Sequence, residues 1–258
     1  MAVLIGSARS NEYGGVNGGK AGDQKSGEEV STQNWYLHSK GWVVIRAKDA
    51  AIREKIAYCM EVACKNNHIG YCQEHRTTLW DAAKQYDFDA GKVVKDVETD
   101  CSALVRVCCR YAGILVGDFT TASEAAILKA TGLFEIIRDA TYCNSSDRLL
   151  RGDILVTKTK GHTVVVLSNG TGVGNKATTT SVDSARGYLP TLSGKYKTTA
   201  DLHIRVGAGT NKTSQGVLFK GTEVRCYGYY TPISGVNWLL VQTPGYTGFC
   251  SSKYLQRT

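Results

Sequence analysis

The sequence predicts an α+β protein with a second, smaller all-β part. Helix-period stretches dominate residues 48–130, and strand-like runs follow from 133 to 167. Beyond a polar, Gly- and Thr-rich stretch, short strands separated by turns fill the C-terminal quarter. The chain has 258 residues, 42% hydrophobic and 21% charged, which suits one or two globular domains with a real core.

Residues 1–32 are rich in Gly, Ser and Asn and are expected to be irregular. Gln33 to Ala47 predicts two strands joined as a hairpin around Ser39, Lys40 and Gly41. From Lys48 to Asn66 the pattern is an amphipathic helix, with Ile52, Ile56, Met60 and Ala63 on one face. A short helix is expected over 78–85 and another over 122–130, followed by a strand over 133–138. Asp153–Val156 and His162–Leu167 then predict two adjacent strands, with Asp153 ending the turn before the first. Residues 171–195 read as a linker after a first domain over 1–170. The second domain is placed at 196–258, with strands near 202–210, 216–224, 238–241 and 245–255.

The stretch with the most chemical content begins at Thr99. Either Thr99 or Asp100 is a natural N-cap, and Leu104, Val105, Cys108 and Tyr111 keep to one face until Gly113. Cys101 therefore falls in the first turn of a buried helix, where the helix dipole favours the thiolate. Taken alone, it reads first as a small core cysteine that happens to start a helix. Gly161 and His162 open a β-branched strand, which sets an imidazole at a fixed place as a candidate base.

Asp100-Cys101-Ser102, then Gly152-Asp153-Ile154, then Gly161-His162 resemble, in that order, the papain-like cell-wall hydrolases: NlpC-type peptidases, CHAP domains and related phage amidases. Ile69 to Arg76 is similar to the Tyr-containing strand and Arg that precede the nucleophile in the phage amidases. Asp23, Gln24, Glu29, Val30, Trp35 and Tyr36 resemble the start of some phage lysins. Residues 196–258 look like a bacterial SH3-like domain, through Arg205 to Thr210 and Gly248 to Leu255.

The resemblance implies a papain-like cysteine hydrolase followed by a small SH3-like barrel. Its substrate would be bacterial peptidoglycan, and N-acetylmuramoyl-L-alanine amidase is preferred over stem-peptide or cross-bridge endopeptidase. In that reading Cys101 attacks an amide carbonyl and His162 carries the proton. Tyr71 completes an oxyanion hole or is an ordinary strand aromatic. Arg76 holds a substrate carboxylate or is a surface charge. The group orienting His162 is Asn175, or Asp23, Gln24 or His38 from the N-terminal segment. Tyr227, Tyr229, Tyr230, Trp238 and Tyr246 either line a wall-binding groove or fill the barrel core. An inactive wall-binding protein and an intracellular acyltransferase of the same fold are the competing readings.

The net charge of +8 suits a polyanion, with anionic wall polymers favoured over nucleic acid because no nucleic-acid motif is present. No apolar run approaches the ~20 residues that span a bilayer. The N-terminus lacks the basic and apolar regions of a Sec signal, so a product made in the cytoplasm and released through a holin pore is expected. Nine cysteines without a C-x-x-C pair suggest reduced thiols, with a Cys226–Cys250 bridge left open. No cofactor and no metal is expected.

Overall fold

A computed structural model describes residues 2–25, 28–159, 161–172, 182–218, 220–243 and 246–258. The chain divides into two compact units, Met1–Asn175 and Lys176–Thr258.

In chain order the first unit contains β1 (Leu4–Ala8), β2 (Val30–Asn34), β3 (Trp42–Ala47), α1 (Ala50–Ala63), β4 (Ile69–Tyr71), α2 (Thr78–Ala83), β5 (Val97–Thr99) and α3 (Cys101–Tyr111). They are followed by α4 (Glu124–Ala130), β6 (Phe134–Ile137), α5 (Ala140–Cys143), β7 (Ile154–Thr157) and β8 (Thr163–Val166). Six strands form one antiparallel sheet in the order β2-β1-β8-β7-β3-β6, and β4 and β5 form a separate parallel pair.

Strand alternation divides the core. Val43, Ile45, Ile154, Val156 and Val165 pack with Ile56 and Met60 of α1 and with Leu104, Val105 and Cys108 of α3. Trp42, Val44, Leu155, Val164 and Val166 face the other way and pack with Ile5, Cys143 and Leu149. Helix α1 starts where Asp49 accepts a bond from the Ala51 amide at 2.7 Å. It lies close enough to β1 that a Cβ on Gly6 would meet the Met60 side chain at 2.7 Å.

Two N-terminal expectations are corrected here. Residues 1–32 are not irregular throughout, because Leu4–Ala8 inserts between β8 and β2. The strands flanking Ser39-Lys40-Gly41 do not form a hairpin; Trp42–Ala47 pairs with β7 and β6 instead. Its buried, two-sided apolar run needs neighbours on both edges.

The second unit contains β9 (Gly187–Thr198), β10 (Leu202–Arg205), β11 (Ser214–Leu218), β12 (Glu223–Ile233), β13 (Val236–Gln242), β14 (Thr247–Ser251) and β15 (Leu255–Arg257). They form one sheet, in the order β11-β10-β14-β13-β12-β9-β15. Val224 and Cys226 of β12 alternate with exposed neighbours and pack with Ile204, Leu239, Val241 and Cys250. Residues 187–195, within the expected linker, belong to β9.

Candidate active site

Helix α3 begins as its sequence predicts. Asp100 caps it, accepting from the Ala103 amide at 2.7 Å and from the Ser102 hydroxyl at 2.9 Å. Arg76 clamps the cap: its Nε donates to Asp100 at 2.6 Å, and its other nitrogens donate to Asp118, Ser102 and the Phe119 carbonyl. The guanidinium is thus engaged by four partners within the protein. Asp100 is likewise a capping and pairing group.

Cys101 is 5% exposed, and its thiol lies against the Thr163 backbone, one residue along the chain from His162. Burial pushes the thiol up to about 12, and the Asp100 and Glu124 carboxylates push the same way. The thiolate expected from the helix start is therefore overruled by burial. Tyr71, 3% exposed at the end of β4, also neighbours Cys101. Burial holds its phenol protonated, up to about 12, and Gln73 Nε2 donates to its oxygen at 3.2 Å. Glu124 is fully buried and accepts from the Thr163 hydroxyl at 3.0 Å; burial raises its carboxyl to about 8.

His162 faces away from this cluster. Trp42 pairs with Thr157, whose hydroxyl accepts from the His162 amide, so Trp42 and His162 share one face of the sheet. The two rings are 6.5 Å apart, and His38 stands 5.2 Å from Trp42. Burial lowers the imidazole to about 4, with His38 and Arg9 adding to the effect. Arg9, just past the end of β1, is near enough to disfavour the charged imidazole. Arg9 donates to Gln33 at 2.8 Å and also to Ser31. The fold thus brings Cys101 beside the residue next to His162, but no hydrogen bond joins thiol and imidazole among the described residues.

Residues 5–173 match the model of the endolysin-like domain family. The chain belongs to that family. No curated protein and no solved structure gives a match.

Within this endolysin-like domain the other sequence-predicted residues are dispersed. Asp23 lies beside Asn67 and Glu29, and Gln24 turns back to the Ala21 carbonyl. Of the N-terminal candidates, His38 is the one near His162. Asn175 lies outside the described residues. Asp153 is buried, accepts from the Leu150 amide and pairs with Arg46 at 2.6 Å, so it does end a turn. Glu124, Thr163 and Arg9 were missed. A single carboxylate in the apolar run Ala122 to Leu128 was the available signal for Glu124; Arg9 had none, because it depends on strand order.

In the second unit Tyr227 and Tyr229 are exposed, the latter 5.0 Å from Tyr188. Trp238 is buried with Phe249, and Tyr230 and Tyr246 pack against the core. All nine cysteines are free thiols, Cys226 and Cys250 included. No helix among the described residues is long and apolar enough to cross a membrane.

Proposed function

We propose that this endolysin-like protein is a phage-lysin-type peptidoglycan hydrolase that cuts an amide bond with Cys101 as nucleophile. The observation that carries the reading is Cys101 at the capped start of α3, with its thiol against the strand that His162 opens. A helix bearing a cysteine and packed on an antiparallel sheet is also the arrangement a papain-like hydrolase requires.

In this mechanism the thiol attacks the carbonyl carbon and gives its proton to a neutral base, because a thiol held at about 12 is not a preformed thiolate; His162 takes that role by turning its ring from Trp42 toward Cys101 when substrate binds. The protonated base then returns that proton to the leaving amine, and water hydrolyses the thioester. The Cys101 amide at the helix start and the protonated Tyr71 hydroxyl are the donors for the developing oxyanion. The second unit is the wall-binding module, its exposed Tyr188, Tyr227 and Tyr229 offering stacking surfaces. An N-acetylmuramoyl-L-alanine amidase is preferred, on the Tyr71 and Arg76 resemblance. Such an enzyme would be made in the cytoplasm and reach the wall after holin release.

The test is mass spectrometry of purified peptidoglycan digested with wild type and with Cys101→Ala. New free L-alanine amino termini, absent with the variant, are expected. Other new termini would make the enzyme an endopeptidase. Equal products from both proteins would rule out Cys101, and none from either, in folded material, would leave a binding protein.

A further inference from the structure

The pair β4–β5 carries a cluster that the proposed hydrolysis does not use. Cys72 follows β4 directly and is fully buried; Glu98 is the middle residue of β5 and is 5% exposed. His75 follows at the Cys-x-x-His spacing, with a side chain 58% exposed. One ligand atom from each of the three lies within 4.8 Å of the others.

The Glu98 carboxylate is the informative group. Its Oε2 contacts His75 Nδ1 at 2.9 Å, but its Oε1 is buried without a hydrogen-bond partner. Thr78 fixes the backbone behind it, donating to the Glu98 carbonyl at 2.9 Å and accepting from its amide at 2.7 Å. A buried carboxylate oxygen left unpaired beside a thiol and an imidazole is a donor set in want of a cation.

We propose that Cys72, His75 and Glu98 form a zinc site. A thiolate, an imidazole and a carboxylate within one small cluster match the tetrahedral preference of Zn²⁺. Ca²⁺ and Mg²⁺ take oxygen ligands and would leave the sulfur and nitrogen unused. The exposed side of His75 leaves room for water as fourth ligand. On binding, the Cys72 thiol releases its proton to solvent and His75 coordinates as the neutral ring. The ion would tie the segment that carries Tyr71 to the segment that runs into Asp100 and Cys101. Its role is to hold β4 and β5 in place, not to react.

The test uses the whole protein, with zinc alone as the probe. After gel filtration of zinc-loaded protein, elemental analysis should find about one zinc per chain. Loss of a residue that touches the zinc costs more than the ~10–100-fold of a change in a group hydrogen-bonded behind the ligands, so His75→Ala and Glu98→Gln should each weaken zinc binding at least about 100-fold. Cobalt substitution should give a thiolate-to-metal charge-transfer band that Cys72→Ser abolishes. Zinc at about 100 times its Kd should raise the Tm of the wild type by ~5–10 °C and leave His75→Ala unmoved. Because His75 is exposed, that variant should fold, with circular dichroism as the check. Folded wild type that retains no zinc, or zinc retained equally by His75→Ala and Glu98→Gln, would overturn the site. The first result would leave a buried thiol beside a His–Glu pair.

Discussion

Replacing Glu124 with Gln should remove a pH dependence built into the first unit. Glu124 is fully buried, and burial holds its carboxyl at about 8 instead of 4.5. The folded state therefore binds this proton more tightly than the unfolded chain does. The stability linked to it is complete below pH 4.5 and is lost as pH rises to about 8. At ~1.4 kcal/mol per pH unit, the loss across that window is on the order of 4–5 kcal/mol. Gln keeps an acceptor for the Thr163 hydroxyl and cannot ionise, so the variant lacks this slope. Its unpaired amide donors cost about 1–3 kcal/mol at every pH and shift the curve without tilting it. Urea unfolding between pH 5 and 9, followed by tryptophan fluorescence, reads the difference, since Trp35, Trp42 and Trp80 all lie in the first unit. With an m-value near 2 kcal/mol/M, the gap between the two midpoints should change by about 2 M. Glu29, raised to about 7 in the same sense, titrates in both proteins and cancels. Midpoints that run parallel from pH 5 to 9 would show that Glu124 is not held protonated by the fold, and the argument would fail.

Arg76→Lys should lower the stability of the first unit by about 2–4 kcal/mol, because an ammonium cannot bridge Asp100, Asp118, Ser102 and the Phe119 carbonyl together. An unchanged urea midpoint would return Arg76 to the role of a free substrate ligand. Gly152 has φ +86°, and an added Cβ would run into the Arg53 carbonyl. Gly152→Ala should therefore cost at least about 3 kcal/mol, read as a fall in Tm or as loss of soluble protein; native-like melting would contradict the placement of that turn. If His162 is the base, wall hydrolysis should keep its rate as pH falls until about 4, where the imidazole protonates. An acid limb of kcat/KM near pH 6.5 would mean that the ring is solvated rather than buried against Trp42.

What was legible in the sequence was local. Asp100, Cys101 and the apolar face of α3 lie within one helix, so cap and periodicity identify it without reference to the rest of the chain. Strand β1 is a strand because β8 and β2 flank it; Leu4–Ala8 has a Gly, a Ser and an Ala among five residues and little intrinsic preference. Strand β9 was obscured by Pro190. The ladder to β12 skips from Ser193 opposite Tyr227 to Tyr188 opposite Tyr229, so Pro190 falls in a bulge and owes no ladder bond. The facing of His162 was illegible for a different reason. Thr163 to Val166 are buried on both sides of the sheet, so the run carries no alternation from which to assign the histidine a face. Parity is set instead by the pairing of Val165 with Gly6, beneath α1.

The same parity sets the energetic task of the proposed chemistry. A thiol at about 12 and an imidazole at about 4 both reflect burial, which favours the neutral form of each. Moving the proton from sulfur to ring in the resting protein is uphill by on the order of 10 kcal/mol, taking ~1.4 kcal/mol for each step in pKa. Arg9, near His162, adds to that cost by disfavouring a second positive charge. A resting thiolate–imidazolium pair is therefore disfavoured, and in the proposed mechanism most of the cost is met at the transition state. There the Cys101 amide and the Tyr71 hydroxyl meet a charge that the substrate brings into being, and the oxygen they stabilise belongs to the scissile bond. On the proposed mechanism selectivity would follow from this arrangement: a thiol held protonated reacts slowly with a general electrophile, whereas an amide seated against both donors would draw the proton across.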